Sequence, residues 1–537
     1  MEDSETGAVV GTGPARSAAS KTARPSMTAI AAWSLLIWTV LSDWLLYRSA
    51  GYAGPAVFFA MTPAFFLLPL RRKSKTSPLR LAPGFCCLLI LGVATRLVVL
   101  GNAWVFVSGI VCTFAVALAS SHVFPWALET VSMFVRAPLD GVICFCSHRL
   151  PSISGGTAVS FGSSRTANWL LPLAITGVFG GVFVLANPDL VQWVSARFTE
   201  TIDWTWQWVG QLSAWEIPFC ILSLIVGAGL LYPVYGKMRI GGEDNTENDR
   251  VTAEAPLYVP IRNTLFCLVL LFTIYLVFEF WTLWKRDFPD GFYYAGYAHQ
   301  GAAWLTVALA LATGLLSVIF SGATLNDHRI KVLKTLAWSW SALNFLLAIA
   351  VYNRLSIYVG YNGLTPMRIA GYFGITAVVA GFSLVVVKVA KCRGFWWLLR
   401  TQLTALLLTV VLFALFPVDF VAHQYNASRI KAGYLHPSVM IAVKPMDDLG
   451  YLTILDLVDC EDVTIREGVR AMIAERQVMI EAETQNRPWH WTRFQAETDR
   501  LYEKMSERET TWARYRANPA LREAIRSRFE RYAMRWY

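Results

Sequence analysis

The sequence predicts an all-α protein: a polytopic transmembrane helical bundle of about 11 spans, followed by a small helical extracytoplasmic C-terminal domain. Of the 537 residues, 55% are hydrophobic and only 16% are charged, and the mean hydropathy is +0.44. Apolar runs of about 18 residues or more, long enough for a helix to cross the hydrocarbon core of a bilayer, recur along most of the chain. The predicted spans are 28–47, 53–70, 81–100, 103–121, 169–186, 215–235, 261–284, 301–320, 332–352, 369–389 and 398–416.

Three domains follow from these runs. Residues 1–27 are polar and rich in Ala, Ser and Gly, which predicts a disordered cytoplasmic N-terminus. Residues 28–417 form the predicted multi-pass membrane domain, and 418–537 the predicted tail. The first apolar run lacks a convincing small-residue cleavage site, which predicts an uncleaved signal anchor. Two other segments, 134–146 and 190–210, are apolar but too interrupted to be predicted as spans.

Lysine and arginine are unevenly distributed between alternate loops. If the N-terminus is cytoplasmic, the predicted inner loop 71–80 carries five of them, whereas Arg48 is the one in the preceding outer loop. This asymmetry is the positive-inside pattern of membrane proteins. With an odd number of spans, it predicts that the C-terminal tail is extracytoplasmic and that the protein lies in the cell (inner) membrane.

The charge balance also restricts the partners. Residues 420–537 contain 18 Lys and Arg against 17 Asp and Glu, so almost all of the net charge of +10 lies in the membrane part. The positive charge therefore reflects topology, and we expect no nucleic-acid partner. The expected partners are the lipid bilayer, an anionic lipid or lipid-linked ligand, and an envelope protein.

The tail has the pattern of a helical domain. Asn518 followed by Pro519 matches a helix N-cap with proline at the first helical position. Two interpretations remain open for the last helix: a domain that closes on itself, or a basic amphipathic helix on the outer leaflet with Trp536 and Tyr537 at the interface. The apolar positions that recur at helical spacing are Phe494, Leu501 and Met505, with Thr498 between them, and then Leu521, Ile525, Phe529, Tyr532 and Trp536.

Ionisable residues inside the predicted spans are the first candidate site residues. Asp43, Arg96 and Glu279 each lie roughly 22–24 Å from the predicted cytoplasmic start of their helix, at a rise of about 1.5 Å per residue. All three are therefore expected at a similar outer depth. Charged groups are costly in lipid and usually face a bundle interior or water. Snorkelling to the interface or a structural Arg–carboxylate pair remains an alternative.

Polar residues in the predicted outer segments complete the candidate site. Residues 352–369 are predicted as an outer loop with a turn at Tyr361–Gly363 and a helix that starts near Pro366. Interfacial belts explain the tyrosines there, but they do not explain the arginines. The predicted polar site comprises Asp43, Arg96, Glu279, His299, Arg354, Tyr361, Asn362, Arg368, Asp419, Tyr425, Asn426 and Arg429.

Motifs for other chemistries are weak. Residues 144–149 hold two cysteines and a histidine, but no second such cluster exists, so we predict no metal site and no cofactor. Asn426-Ala427-Ser428 matches the N-glycosylation pattern, which is common by chance. The sequence contains no HExxH, GxSxG or phosphate-loop motif.

Five blocks of the second half resemble, in order, those of a bacterial polytopic membrane family known only as a domain of unknown function. They are YAGYAHQGAAWLTV (294–307), YNGLTPMRI (361–369), VDFVAHQYNASRI (418–430), DDLGYLTIL (447–455) and RPWHWTRFQAETDRL (487–501). The resemblance covers about 292–501. The chain departs from the family pattern at Asn362, inserted between tyrosine and glycine, and over 455–470. The resemblance implies a multi-pass cell-membrane protein and lends no reaction.

Three functions remain open from the sequence. The first is an envelope-associated sensor, scaffold or biogenesis protein with an outward-facing polar cleft. The second is a transporter or flippase, which would require charged or broken helices near the membrane midplane. The third is a membrane-embedded transferase or hydrolase on a lipid-linked anionic substrate, with Asp43, Glu279 or Asp419 as general base and Arg354 or Arg368 on phosphate.

Overall fold

A computed structural model describes most of the chain. The described residues are 29–70, 81–121, 123–147, 215–232, 258–285, parts of 307–319, 329–391, 393–485 and 490–536. They fall mainly in one compact unit, which comprises Ser34–Gly141 and Gln211–Tyr537. The other unit comprises Met1–Trp33 and Val142–Gly210, of which only short segments are described.

The part of the chain that the structure describes is helical and has no strand. Seven of its helices are long and apolar enough to cross a membrane, and two shorter apolar helices accompany them. The helices before the tail are α1 (Ala29–Ser42, extended by a π-helical turn at Asp43–Tyr47), α2 (Ala53–Leu70), α3 (Leu81–Leu100), α4 (Ala103–Ser120), α5 (Ala127–Ser147), α6 (Glu216–Leu231), α7 (Tyr258–Lys285), α8 (Ile330–Asn362), α9 (Pro366–Lys391) and α10 (Phe395–Leu415).

These helices confirm the predicted class of an all-α helical bundle. Nine predicted spans coincide with described apolar helices, and α3 has the predicted bounds of 81–100. The predicted span 169–186 lies outside the described residues, and 301–320 does so for the most part. The predicted disordered segment 1–27 and the segment 190–210 also lie outside them. The segment 134–146, which was not predicted as a span, belongs to one continuous helix, α5.

The prediction of an outer loop over residues 352–369 was wrong for most of that segment. Helix α8 continues through it to Asn362, and α9 begins at Pro366, so the connection has only three residues. Of the predicted turn Tyr361–Gly363, only Gly363 lies outside α8; it has φ +83°, and its N–H donates to Val359 O at 2.9 Å. Because glycine has no Cβ, it adopts this positive φ at little steric cost, and the helix ends here.

The tail builds a hydrophobic core of its own. Ile465, Val469 and Ile473 recur along one face of its longest helix and are fully buried. At the centre, Trp512 Nε1 donates to Gln477 Oε1 at 2.8 Å. The tail helices are α11 (Val418–Lys431), α12 (Ser438–Ala442), α13 (Asp448–Ile454), α14 (Val463–Gln485), α15 (Ala496–Glu507), α16 (Ala513–Ala517) and α17 (Pro519–Ala533).

The apolar face of α17 packs within the tail. Asn518 caps the helix, since its Oδ1 accepts from Leu521 N at 3.0 Å, as predicted. Phe529 is 1% exposed and belongs to the tail core, and Ile525 and Tyr532 pack against that core. The contacts therefore favour a domain that closes on itself over a helix lying on the leaflet.

The tail docks on connections between the membrane helices. Thr492 Oγ1 accepts from Ala50 N at 2.9 Å, in the α1–α2 connection. Gln495 Oε1 accepts from Gly101 N at 2.5 Å in the α3–α4 connection, and its Nε2 donates to Leu97 O at 3.1 Å. These connections were predicted on the outer side, so the tail and the predicted outer connections share one face of the bundle.

Gly468 provides a test of the tail core. A Cβ at this position would overlap the buried ring of Phe529, across the α14–α17 contact. Exchange of glycine for alanine inside a helix normally stabilises it by about 1 kcal/mol. Here overpacking, which typically costs about 1–3 kcal/mol, should prevail, so Gly468→Ala should lower the melting temperature of the full chain in detergent.

The matched control is Gly374→Ala. Nothing lies within 4 Å of a Cβ at that helical position, so the melting temperature should stay unchanged or rise slightly. A Gly468→Ala chain as stable as the control would contradict the packing described for α14 and α17.

Candidate functional site

The structure places eleven of the twelve predicted site residues, and His299 lies outside the described residues. They do not converge on one centre. Asp43 belongs to an ion-pair group beside α6, and Glu279 pairs with Arg354 between α7 and α8. Arg96 and Asp419 lie where α3 meets the tail. The remaining residues surround the C-terminal end of α8: Tyr361, Asn362, Arg368, Tyr425, Asn426 and Arg429.

Asp43 takes part in a structural ion pair. Arg48 Nε lies 3.2 Å from Asp43 Oδ2 and donates to Glu216 Oε1 at 2.5 Å. Glu216 is only 3% exposed. One arginine thus bridges two carboxylates on different helices, which supports the alternative of an Arg–carboxylate pair at this depth.

Glu279 and Arg354 form a buried pair between α7 and α8. Arg354 Nε donates to Glu279 Oε1 at 2.5 Å, and its Nη2 donates to the other carboxylate oxygen. Tyr275 OH adds a hydrogen bond to Glu279 Oε2 at 2.8 Å. Glu279 is 0% exposed, so the bidentate contact compensates two charges that a bilayer would otherwise exclude.

Two arginines act on the C-terminal end of α8. Arg368 Nη1 donates to Asn362 O at 3.0 Å and also to Gly363 O, and its guanidinium lies 4.0 Å above the Tyr358 ring. Arg429 Nη2 donates to Gly360 O at 3.3 Å. The last carbonyls of a helix lack intrahelical partners and carry a partial negative charge, so cations are favourable there.

Asn426 holds the α8–α9 turn. Its Oδ1 accepts from Leu364 N at 2.7 Å, and its Nδ2 donates to Leu364 O at 2.8 Å. Tyr434 OH donates to Tyr361 O at 2.9 Å beside this contact. Because Asn426 is 0% exposed and its amide is engaged on both atoms, it is not available for glycosylation.

Tyr425 lies on the same helix and is partly buried. It packs against a small cluster of apolar residues that includes Val359, Leu364 and Ile369. Its ring thus connects α11 to both helices of the turn.

Asp419 lies at the start of α11 beside a second acid that the sequence did not indicate. Its Oδ2 accepts from Asp447 N at 3.0 Å, and Asp447 Oδ1 caps α13 by accepting from Gly450 N at 3.0 Å. Burial, and then the charge of Asp419, raise the pKa of Asp447 to about 6. Burial also raises the pKa of Asp419. The guanidinium of Arg96 opposes both shifts through its charge.

His423, one turn further along α11, is 1% exposed. Neither ring nitrogen has a hydrogen-bond partner among the described residues. Burial lowers its pKa to about 4, so the imidazole is neutral at pH 7. His423 occurs in the block VDFVAHQYNASRI, whose pattern gives no sign of this burial.

Sequence reasoning missed the partners of several charged groups. Glu216 lies at the start of the predicted span 215–235, and no local sequence pattern connects it to Asp43. Glu129 Oε1 lies 3.4 Å from Arg400 Nε, and both side chains are largely buried. The sign in the sequence that could have indicated these pairs was a charged residue within or beside an apolar run. Among the described residues no group of three potential metal ligands lies together, and the segment 144–149 extends outside them.

A cleft of about 900 Å³ opens between the bundle and the tail. Its walls come from α3, the end of α10, α11, α13 and α15. Arg96 is the predicted site residue that lines it. The other charged residues of the lining are Lys431, Asp456, Glu497, Arg500 and Lys504.

The Glu279–Arg354 contact predicts a large effect of a nearly isosteric change. Glu279→Gln removes the negative charge and leaves the Arg354 guanidinium without its bidentate carboxylate. Breaking a buried pair from one side costs about 3–5 kcal/mol, so the full chain should lose stability in detergent. Exchange of both residues for methionine should cost less, because no buried charge is left. A Glu279→Gln chain as stable as the unaltered chain would show that the pair is not structural.

Asp447 and His423 predict opposite pH effects on stability. The pKa of Asp447 rises from 3.8 to about 6, so the folded chain binds this proton more tightly and gains stability as the pH falls from about 6. The pKa of His423 falls from 6.5 to about 4, so the unfolded chain binds that proton more tightly and stability is lost as the pH falls through this range. In the unaltered chain the two effects largely offset each other.

Single variants should reveal each effect. Between pH 7 and pH 4, Asp447→Asn should lose about 3 kcal/mol more than the unaltered chain, and His423→Leu about 3 kcal/mol less. Asparagine retains an oxygen for the Gly450 N–H, so the cap survives. The measurement is the melting temperature of the full chain in neutral detergent across this pH range. Parallel curves for all three proteins would contradict both assignments.

Comparison with known proteins gives a family and no activity. The model of the family described as Domain of unknown function (DUF4153) matches residues 56–449. This match includes the early spans, where the resemblance was not expected to be specific, and it ends before the block at 487–501. No curated protein and no solved structure matches the chain. Its seven long apolar helices fit a membrane-spanning protein, and because the match covers most of its length, the chain belongs to this family of unknown function.

Proposed function

We propose that the chain is a cell-envelope sensor, scaffold or biogenesis protein of the bacterial inner membrane, which binds a ligand in an outward-facing cleft. In this proposal the N-terminus is cytoplasmic and the tail is extracytoplasmic. The observation that carries it is the cleft of about 900 Å³ that the bundle and the docked tail enclose together. A cleft of this size, with apolar walls and a few charged groups, suits a small or amphiphilic ligand.

The charge pattern supports the outward orientation. The tail contacts the α1–α2 and α3–α4 connections, at Ala50 and Gly101. The loop between these two connections, 71–80, is the one rich in lysine and arginine. Positive loops favour the cytoplasm, so the connections beneath the tail belong to the opposite side.

The contacts of the candidate bases favour binding over catalysis. A general base must reach the proton that it removes, and it must be free to accept it. Glu279 is held on both oxygens by Arg354, Asp43 Oδ2 contacts Arg48, and Asp419 Oδ2 accepts from Asp447 N. Arg368, a candidate for phosphate, donates to the end of α8. These groups are engaged in holding the fold, which leaves the cleft at Arg96 as the feature best suited to a ligand.

The tail should resist protease only while it is docked on the bundle. Thr492→Val combined with Gln495→Ala removes three hydrogen bonds between the tail and the bundle. At about 1 kcal/mol for each bond, the undocked fraction should rise roughly a hundredfold. Protease added to spheroplasts, whose inner membrane is intact, should then cleave the tail of this variant much faster than that of the unaltered chain.

The matched control is Thr484→Val combined with Gln485→Ala, which changes the same residue types at the exposed end of α14. Its cleavage should equal that of the unaltered chain. Cleavage that occurs only when protease reaches the cytoplasmic side would overturn the orientation. Equal, rapid cleavage of all three proteins from outside would overturn the docked tail.

A further inference from the structure

The deepest charged group of the cleft is Arg96. It lies on α3, near the end of the span Leu81–Leu100, and it is 9% exposed. Its Nη1 donates to Leu100 O at 2.8 Å, and its Nε has no hydrogen-bond partner among the described residues. A buried guanidinium N–H without a partner is costly, so a ligand oxygen at this position would be favourable.

The tail supplies further charges on one face of α15. Glu497, Arg500 and Lys504 are spaced three and four residues apart, so they lie on the same side of the helix, and all three line the cleft. Arg500 Nη1 lies 3.6 Å from Glu497 Oε2. Across the cleft, Lys431 Nζ lies 2.8 Å from Asp456 Oδ2.

These ion pairs leave a positive surplus in the lining. The two acids are each matched by one cation, and Arg96 and Lys504 form no ion pair within the described part of the chain. Asp447, Asp419 and Glu497 also act on Arg96 through their charges. Asp419 and Asp447 accept hydrogen bonds from backbone N–H groups and do not line the cleft, and Glu497 lies 3.6 Å from Arg500.

The other walls are apolar and begin at membrane depth. Leu415 comes from the end of the α10 span, Val99 from the end of α3, and Leu449 and Leu452 from the tail. A free anion would gain nothing from these surfaces, whereas an acyl chain would bury them. The combination of unpaired cations with apolar walls next to a bilayer is typical of recognition of a lipid headgroup.

We infer that the cleft binds one anionic phospholipid, with its phosphate at Arg96 and Lys504 and an acyl chain along the leucine wall. The inference deepens the proposed function and rests on it, because the tail must be docked to close the cleft. Arg96 supplies the buried contact, and Lys504 supplies an exposed charge at the mouth. The lipid would thereby connect the bundle to the tail.

The test measures lipids that remain bound to the full chain in neutral detergent, by native mass spectrometry. The probes are dioleoyl-phosphatidylglycerol, dioleoyl-phosphatidylcholine, dioleoylglycerol and water-soluble glycerol phosphate. One phosphatidylglycerol should bind about tenfold more tightly than phosphatidylcholine or dioleoylglycerol, because only it combines a net anionic headgroup with acyl chains. Glycerol phosphate should not displace it.

Three variants locate the site. Lys504→Gln should weaken phosphatidylglycerol binding about threefold to tenfold, and Arg96→Gln should weaken it further. Ser428→Trp, at an exposed position of the cleft lining, should block the site by filling it. Lys504 and Ser428 are exposed, so these two variants should fold even if Arg96→Gln does not. Arg508→Gln, whose partner is Asp459 outside the cleft, is the control and should bind normally.

The outcomes separate this inference from the proposed function. Unchanged phosphatidylglycerol binding in both Lys504→Gln and Ser428→Trp would overturn the lipid site, and so would displacement by glycerol phosphate. If lipid binding fails while the tail of the same protein stays protected from protease, the docked tail stands and the lipid does not. If the tail of the unaltered chain is unprotected, both proposals fail.

Discussion

The C-terminal end of α8 is the constraint that fixes how the bundle meets α11, the first helix of the tail. A helix of 33 residues ends there beside a three-residue turn, and its last carbonyls need donors. The donors are side chains from both parts of the protein: Arg368 from α9, and Arg429 and Tyr434 from the tail. Asn426 from α11 binds Leu364 in the turn itself. Satisfying one helix end therefore fixes the position of the next membrane helix and of the first tail helix together.

Several buried charged side chains in the described part of the chain form ion pairs that hold helices together. Glu279 with Arg354, and Glu129 with Arg400, are pairs between helices that a bilayer would not tolerate as separate charges. Such pairs give direction and register to helices whose apolar surfaces are otherwise interchangeable, because lipid tails are as apolar as leucine. Arg96 differs in kind. It is buried, it contacts a backbone carbonyl, and it borders an open cleft instead of a partner helix.

The spans were predictable because each depends on local composition, which is why the run 81–100 has the bounds of α3. Tertiary partners were not. The chain from Tyr352 to Asn362 contains polar residues that suggest a loop, yet contacts from Glu279 and α9 hold it in a helix. The segment 134–146, predicted to be too interrupted for a span, lies in α5, which is helical but is not among the helices apolar enough to cross a membrane. Asp43 was predicted as a site residue from its depth, but Glu216, 173 positions away, could be found only in the structure.

The family match ends at residue 449, inside α13, and this boundary does not divide the structure into two folding units. Val439, Met440 and Ile441 precede the boundary, yet they are buried in the same core as Ile473 and Phe529, which follow it. A protein shortened at the end of the family region would expose those side chains to water. The segment that follows the family region therefore supplies the apolar cover that α12 needs.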